Sequence, residues 1–153
     1  MLSSLGLPEQ HWLTTAPLAT LVLITVWQES GYVMLLFLAG LQGLDEQVYE
    51  AARLDGASVW RRFRSITLPL LAPTTMFVML VGMISSLQQF GLPYIVTNGG
   101  PGNATSLYVY QVYQETFASG NLGYASAMSF VLLVVILVFS LVQIRVGRRK
   151  EAL

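Results

Sequence analysis

Only 10% of the 153 residues are charged and 54% are hydrophobic, giving a mean hydropathy of +0.61. A soluble domain carries about 25% charged residues, so this composition argues against an ordinary cytoplasmic enzyme, a nucleic-acid binder or a disordered segment, and for a few membrane spans. Eight Lys+Arg balance eight Asp+Glu, there is no cysteine for a disulfide, thiol or Cys-based metal site, and the one histidine, His11, cannot build a zinc site alone.

The first apolar stretch runs from about Ala16 to Leu41 and is interrupted by Gln28, Glu29, Ser30 and Gly31. A span needs roughly 20 mostly apolar residues, so this stretch is either one long tilted helix or a shorter span with an interfacial end. Glu29 is left unassigned: an ionised carboxylate at mid-membrane costs about 2.5–3.5 kcal/mol on insertion scales, which points to a place nearer an edge, a protonated acid, or a partner outside the chain. His11 and Trp12 precede this stretch, and Trp is common at the interface.

A polar segment, residues 45–69, follows. Asp45 is placed to cap a helix, and Glu46 and Glu50 favour its first turns. Val48, Ala51, Ala52 and Leu54 give a small apolar face, and Gly56 stands where a helix ends in a left-handed residue. Ser58 then caps a second helix, in which Val59, Trp60, Phe63 and Ile66 recur at helical spacing while Arg61, Arg62 and Arg64 lie mostly off that stripe. Pro69 is expected to stop this pattern and start the next span.

The second apolar stretch covers residues 73–92, with Ser85, Ser86, Gln88 and Gln89 late in it. Polar side chains in a membrane tend to face a bundle interior or a cavity. Ser86, Gln88 and Gln89, with Tyr94 near the outer end, are therefore the candidates for lining a path; hydrogen bonding between helices is the structural alternative. Residues 93–126 form a loop in which Gly99, Gly100, Pro101 and Gly102 demand turns. Tyr110, Tyr113 and Phe117 then recur at helical spacing, a stripe that ordinarily packs or anchors at an interface. The sequon Asn103-Ala104-Thr105 is discounted. The third stretch, residues 127–144, is almost uniformly Val, Leu, Ile and Phe.

The positive charges set an orientation. Arg53, Arg61, Arg62 and Arg64 lie between the first two stretches, Arg145, Arg148, Arg149 and Lys150 follow the third, and the remaining loop and Met1–Thr15 have none. Cytoplasmic loops carry the Lys/Arg excess. The arginine-rich loop and the C-terminus are thus expected in the cytoplasm, with the N-terminus and the Gly-Pro loop outside. An outside N-terminus without a basic, signal-like start suggests the C-terminal part of a larger protein.

Glu50-Ala51-Ala52, three residues, Gly56, nine residues, then Ile66-x-Leu68-Pro69 fit the pattern E-A-A-x3-G-x9-I-x-L-P. This resembles the EAA loop of permease subunits of bacterial binding-protein-dependent ABC importers. Phe37–Gln42 and Tyr49 before it, Thr97–Pro101 and Gly123–Ala127 after it, resemble the carbohydrate branch, of the maltose or glycerol-3-phosphate kind. The resemblance implies an all-α polytopic membrane bundle in which about three spans and a cytoplasmic helix-turn-helix form the C-terminal part of a transmembrane domain of about six. It further implies a coupling role for Glu50, Ala51, Ala52 and Gly56 against a separate ATPase subunit. A second permease subunit, an extracytoplasmic substrate-binding protein and lipid are the other implied partners, with no cofactor, metal or nucleic acid, in a bacterial inner membrane.

The chain has no G-x-x-x-x-G-K-[ST] loop with which to hold ATP itself. An intramembrane enzyme would need a catalytic constellation, and H-E-x-x-H, G-x-S-x-G and cysteine are all lacking. A three-span structural subunit explains the size but not the spacing, and an importer of amino acids or peptides is opposed only by the Asn98-Gly99-Gly100-Pro101 loop.

Overall fold

The computed structural model describes residues 12–151, with side chains to Gly147; His11 lies outside the described residues. Every regular element among them is helical: α1 (Trp12–Thr15), α2 (Pro17–Gln42), α3 (Glu46–Leu54), α4 (Val59–Leu70), α5 (Ala72–Leu87), α6 (Tyr108–Tyr113) and α7 (Leu122–Glu151). Wider, π-helical turns occupy Phe63–Thr67 within α4, Pro93–Thr97, and Gln114–Ala118 after α6. Among the described residues, two helices are long and apolar enough to cross a membrane, Pro17–Gln42 and Leu122–Gly147, and α4 with α5 makes a third if the bent pair is one span. Only 6% of the most apolar window of either long helix is buried, so their Leu, Val and Phe side chains face outward. That is the reverse of a water-soluble fold, and it is what a hydrocarbon solvent permits.

α2 resolves the first apolar stretch as one continuous helix. Proline at its first position costs no hydrogen bond, and 26 residues at about 1.5 Å each give about 39 Å, enough to cross about 30 Å of hydrocarbon with tilt. Gln28, Glu29, Ser30 and Gly31 do not interrupt it, because only proline removes a backbone donor.

The expectation for Pro69 is corrected. The helix does not stop there but runs through Pro69 to Leu70, and the break falls at Leu71, where α4 and α5 meet at 60°. The preceding turn widens, with the Leu68 amide bonding the Phe63 carbonyl five residues back, which relieves the clash between the proline ring and the carbonyl four residues earlier. Pro73 removes a second donor four residues on, and Leu71 bends between the two. α5 itself ends at Leu87, short of the expected Leu92, so Gln88 and Gln89 lie in the break after it. α7 begins at Leu122, five residues before the apolar run.

The described chain divides into two compact units, one from the N-terminus to Gln28 together with Ser86–Leu133, the other of Glu29–Ser85 together with the residues from Val134. In the second, α2 meets α5 closely: a Cβ on Gly40 would lie 2.6 Å from Thr74 Oγ1 and 3.2 Å from Leu71, itself buried. Lower on α5, Gln143 Nε2 donates to the Met76 carbonyl at 3.4 Å, and the same methionine packs over Gly147. In the first unit, Tyr108 donates to the Met128 carbonyl at 2.8 Å and Ala125 is buried, fixing the start of α7.

The close approach at Gly40 makes a prediction. Gly40→Val should destabilise the folded protein by about 1–3 kcal/mol, the cost of overpacking, seen as a lower unfolding midpoint in detergent. Gly31→Val, where a Cβ meets nothing within 4 Å, should leave the midpoint nearly unchanged.

Candidate functional site

The loop between α2 and α5 is closed at both ends by its own residues. Asp45 sits in extended conformation before α3, and its Oδ1 accepts the Gln47 amide at 2.9 Å. At the other end the Ala57 amide bonds the Ala52 carbonyl and the Gly56 amide the Arg53 carbonyl, both at 3.0 Å. This is a Schellman closure around Gly56, whose φ is +73°. A Cβ there would meet nothing within 4 Å, so glycine is needed for its backbone angle rather than for space. Ser58 then caps α4, accepting the Arg61 amide at 3.4 Å.

α3 presents two faces, and the sequence-predicted residues divide between them. Tyr49 is half-buried, its hydroxyl 2.9 Å from Thr67 Oγ1, and Ala52 and Thr67 are buried. The Tyr49–Thr67 contact docks α3 on α4. Glu50 and Ala51 point the other way with Leu54, which is 90% exposed. The small apolar face expected from Val48, Ala51, Ala52 and Leu54 is therefore split: only Ala52 turns inward. On α4, Val59 and Trp60 are also exposed, with Trp60 against Phe63 at 5.7 Å. Arg62 Nε is buried without a hydrogen-bond partner among the described residues. Thr67 was missed by sequence reasoning; a lone threonine in an apolar stripe gives no signal until its partner is known.

The candidates for a path are only partly brought together. Gln89, half-buried, donates through Nε2 to Thr25 Oγ1 at 3.5 Å, and Thr25 donates to the Leu21 carbonyl at 2.9 Å. Ser86, in the last turn of α5, and Gln88, beyond it, are exposed. Tyr94 instead joins an aromatic cluster, with Phe90 and Tyr113 each at 5.1 Å, and Phe117 continues it 5.0 Å from Tyr113. Tyr113 donates to the Tyr94 hydroxyl at 3.4 Å, and the loss of that bond on ionisation raises the Tyr113 pKa above the usual tyrosine value.

The Gly-Pro loop folds around one buried threonine. Thr105 is fully buried; its Oγ1 lies 2.6 Å from Thr97 Oγ1 and 2.9 Å from the Gly100 carbonyl, while Thr97 Oγ1 lies 3.0 Å from the Pro93 carbonyl. Asn98, Gly99 and Gly102 take positive φ, and the Gly100–Pro101 bond is cis. A Cβ on Gly99 would stand 2.6 Å from the Tyr110 ring. Tyr110, itself buried, accepts from Gln114 Nε2 at 2.6 Å and donates to Asn98 Oδ1 at 3.1 Å. Tyr110 and Tyr113 of the aromatic stripe thus pack while Phe117 stays largely exposed, and Tyr110 is the residue over which the glycine loop closes. No group of three potential metal ligands is found among the described residues.

An all-helical chain with two to three apolar spans and a capped helix-turn-helix between them is a polytopic membrane protein. It belongs to the family described as the binding-protein-dependent transport system inner membrane component, which residues 2–152 match. Among curated relatives, it is 40% identical to the trehalose/maltose transport system permease protein MalF of Thermococcus litoralis, over 97% of this chain and 50% of the relative. It is 37% identical to the arabinooligosaccharides transport system permease protein AraP of Bacillus subtilis, over 96% and 48%, and 41% identical to the sn-glycerol-3-phosphate transport system permease protein UgpA of Agrobacterium fabrum, over 81% and 43%. The chain spans about half the length of the curated relatives it matches.

Two glycines of the loop separate backbone strain from crowding. Gly102→Ala meets open space at φ +53° and should cost about 1–2 kcal/mol, the left-handed penalty alone. Gly99→Ala adds the collision with Tyr110 and should cost about 1–3 kcal/mol more. Unfolding midpoints of the two variants in detergent check the order.

Proposed function

We propose that this chain is part of the permease of an ATP-driven importer for a sugar or sugar derivative, and that α3 is the element through which a separate ATPase subunit drives it. The observation that carries the reading is the two-faced α3 helix. Its hydrogen bonds are closed by Asp45 and Gly56, its inner face is anchored through Tyr49 and Ala52, and its outer face offers Glu50, Ala51 and Leu54 to another protein. The names of the relatives, which refer to trehalose/maltose, arabinooligosaccharides and sn-glycerol-3-phosphate, support the carbohydrate class.

In this reading the ATPase closes on ATP and carries α3 with it. Glu50 makes the charged contact, Ala51 permits close approach, Ala52 transmits the displacement to α4, and Gly56 holds the turn. The rigid pair α3–α4 moves the spans between inward- and outward-facing states, a coupling between two sites through a packed element. The placement of arginines supports a topology in which the loop at residues 45–69 and the C-terminus face the cytoplasm and the Gly-Pro loop lies outside, in a multi-pass protein of the cell (inner) membrane. A second permease subunit, alike or different, completes the path. An extracytoplasmic substrate-binding protein delivers the solute, and lipid covers the apolar faces of α2 and α7. Gln89 with Thr25, and Ser86, Gln88 and Tyr94, supply amide, hydroxyl and aromatic groups suited to a sugar.

In the complete permease, Glu50→Lys should leave membrane insertion and the unfolding midpoint intact, since Glu50 is exposed, and abolish ATP-coupled uptake; Gly56→Asp should do the same to uptake. Normal transport by either variant overturns the coupling assignment. For the path, Gln88→Leu and Gln89→Leu should each weaken uptake while the ATPase still co-purifies with the membrane complex. Loss of the ATPase would assign the glutamines to assembly instead.

A further inference from the structure

The outer segment of the first unit holds a cavity of about 600 Å³ that neither the coupling element nor the glutamine path uses. Its wall is mainly polar and comes from three pieces of chain: the glycine loop (Asn98), α6 and the turn after it (Tyr110, Gln111, Gln114, Glu115), and the start of α7 (Tyr124, with the apolar Met128). The side chains are held in place. Gln114 Nε2 bonds the Tyr110 hydroxyl, Tyr110 bonds Asn98 Oδ1, and Glu115 Oε2 accepts from Asn121 Nδ2 at 2.9 Å. These bonds leave Gln114 Oε1, Asn98 Nδ2 and Glu115 Oε1 without protein partners among the described residues. The Gln111 amide is exposed beside them, and Tyr124 is 61% exposed at the mouth.

We propose that this cavity is a second solute site, one that takes a neutral, polyhydroxylated molecule of mono- to disaccharide size. Its volume falls in the range of ligand pockets, about 300–1,000 Å³. The free groups mix donors and acceptors, as hydroxyl groups, which are both, require. An anion is disfavoured, since the lining has a carboxylate and no Lys, Arg or His; a metal ion is disfavoured, since one carboxylate is the only strong ligand. An apolar molecule would leave the amides unpaired at a cost, whereas the Tyr124 ring offers a face to a sugar's C–H groups. Only the side of the membrane that the cavity faces rests on the topology proposed above; the site itself does not.

These 153 residues have no cysteine, so with any cysteine elsewhere in the complete permease replaced, Gln111→Cys places one reporter thiol on the cavity wall and Tyr124→Cys, in a separate variant, another at an exposed wall residue. Ile95→Cys, at a residue 80% exposed and not lining the cavity, serves as the control. Each is made in the complete permease in its membrane, in the Glu50→Lys background, so that no ATP-driven step is required. Labelling by a charged maleimide is timed in permeabilised membranes with maltose, inorganic phosphate or lysine present. Maltose at ten times its Kd should slow labelling of the Gln111→Cys and Tyr124→Cys variants about tenfold, because the free fraction scales as 1/(1 + [L]/Kd), with the Ile95→Cys variant unchanged. Phosphate and lysine should have no effect. Equal protection by phosphate or lysine, no protection by maltose in either cavity variant, or failure of both to label because polypeptide fills the cavity would each overturn the proposal. Labelling of intact cells separately reads which side the cavity faces: protection with cytoplasmic-side access alone would keep the site and overturn the topology.

Discussion

In a bilayer a backbone amide has no water to turn to, so each departure from the α-helix must find its hydrogen bond within the chain. Pro69 and Pro73 remove two donors four residues apart, and α4 answers with a wider turn in which the Leu68 amide reaches the Phe63 carbonyl. The bend at Leu71 then keeps its own bonds: the Leu71 amide reaches the Thr67 carbonyl at 2.9 Å, and the Thr75 amide and hydroxyl both reach the Leu71 carbonyl. Hydroxyls on the apolar helices follow the same rule. Thr25, Ser126 and Ser129 each donate to the carbonyl four residues back, which removes a polar group from hydrocarbon without a partner helix.

Outside the apolar spans, α3 is completed by short-range closure of its own ends. A nine-residue helix is marginal in isolation, and its end groups need partners of their own. Asp45 and the Gly56 closure satisfy them locally. The Tyr49–Thr67 bond then ties the helix to α4 on one side, and Glu50, Ala51 and Leu54 stay exposed on the other. α4 leads through its widened turn directly into the bend at Leu71, where Gly40 lets α2 approach α5.

The features legible in the sequence were those fixed by near neighbours or by charge. Asp45, Gly56 and Ser58 act where short-range capping rules put them, and the class followed from sparse charge and the spacing around Glu50. What was not legible depends on distant partners or on competition between local terms. The polarity of Gln28–Gly31 left one long helix and a shorter span with an interfacial end both open; polarity does not remove a backbone bond, and α2 passes through them. Pro69 looked like a stop because proline usually is one, but a widened turn absorbed it. The docking of Tyr49 on Thr67, and of Gln89 on Thr25 across 64 residues of sequence, joins residues that no spacing rule links. The end of α5 at Leu87 was hidden because Leu92 and Pro93 prolong the apolar composition beyond the helix.

The glycine loop keeps a hydrogen-bond account of its own. Thr97 and Thr105 have one hydroxyl proton each, but three contacts lie within bonding distance: to the Pro93 carbonyl, to the Gly100 carbonyl, and to each other. Only two can be filled at once, so either threonine can release its carbonyl to bond the other, and the pair remains bonded in both arrangements. Gly99 lies against the Tyr110 ring, and Tyr110 passes a directed chain of bonds from Gln114 to Asn98. A buried polar network satisfied in this way rigidifies the segment that carries it. The Gln114 and Asn98 amides are consequently held in one orientation by the bonds they share with Tyr110, a hydroxyl that accepts from one and donates to the other.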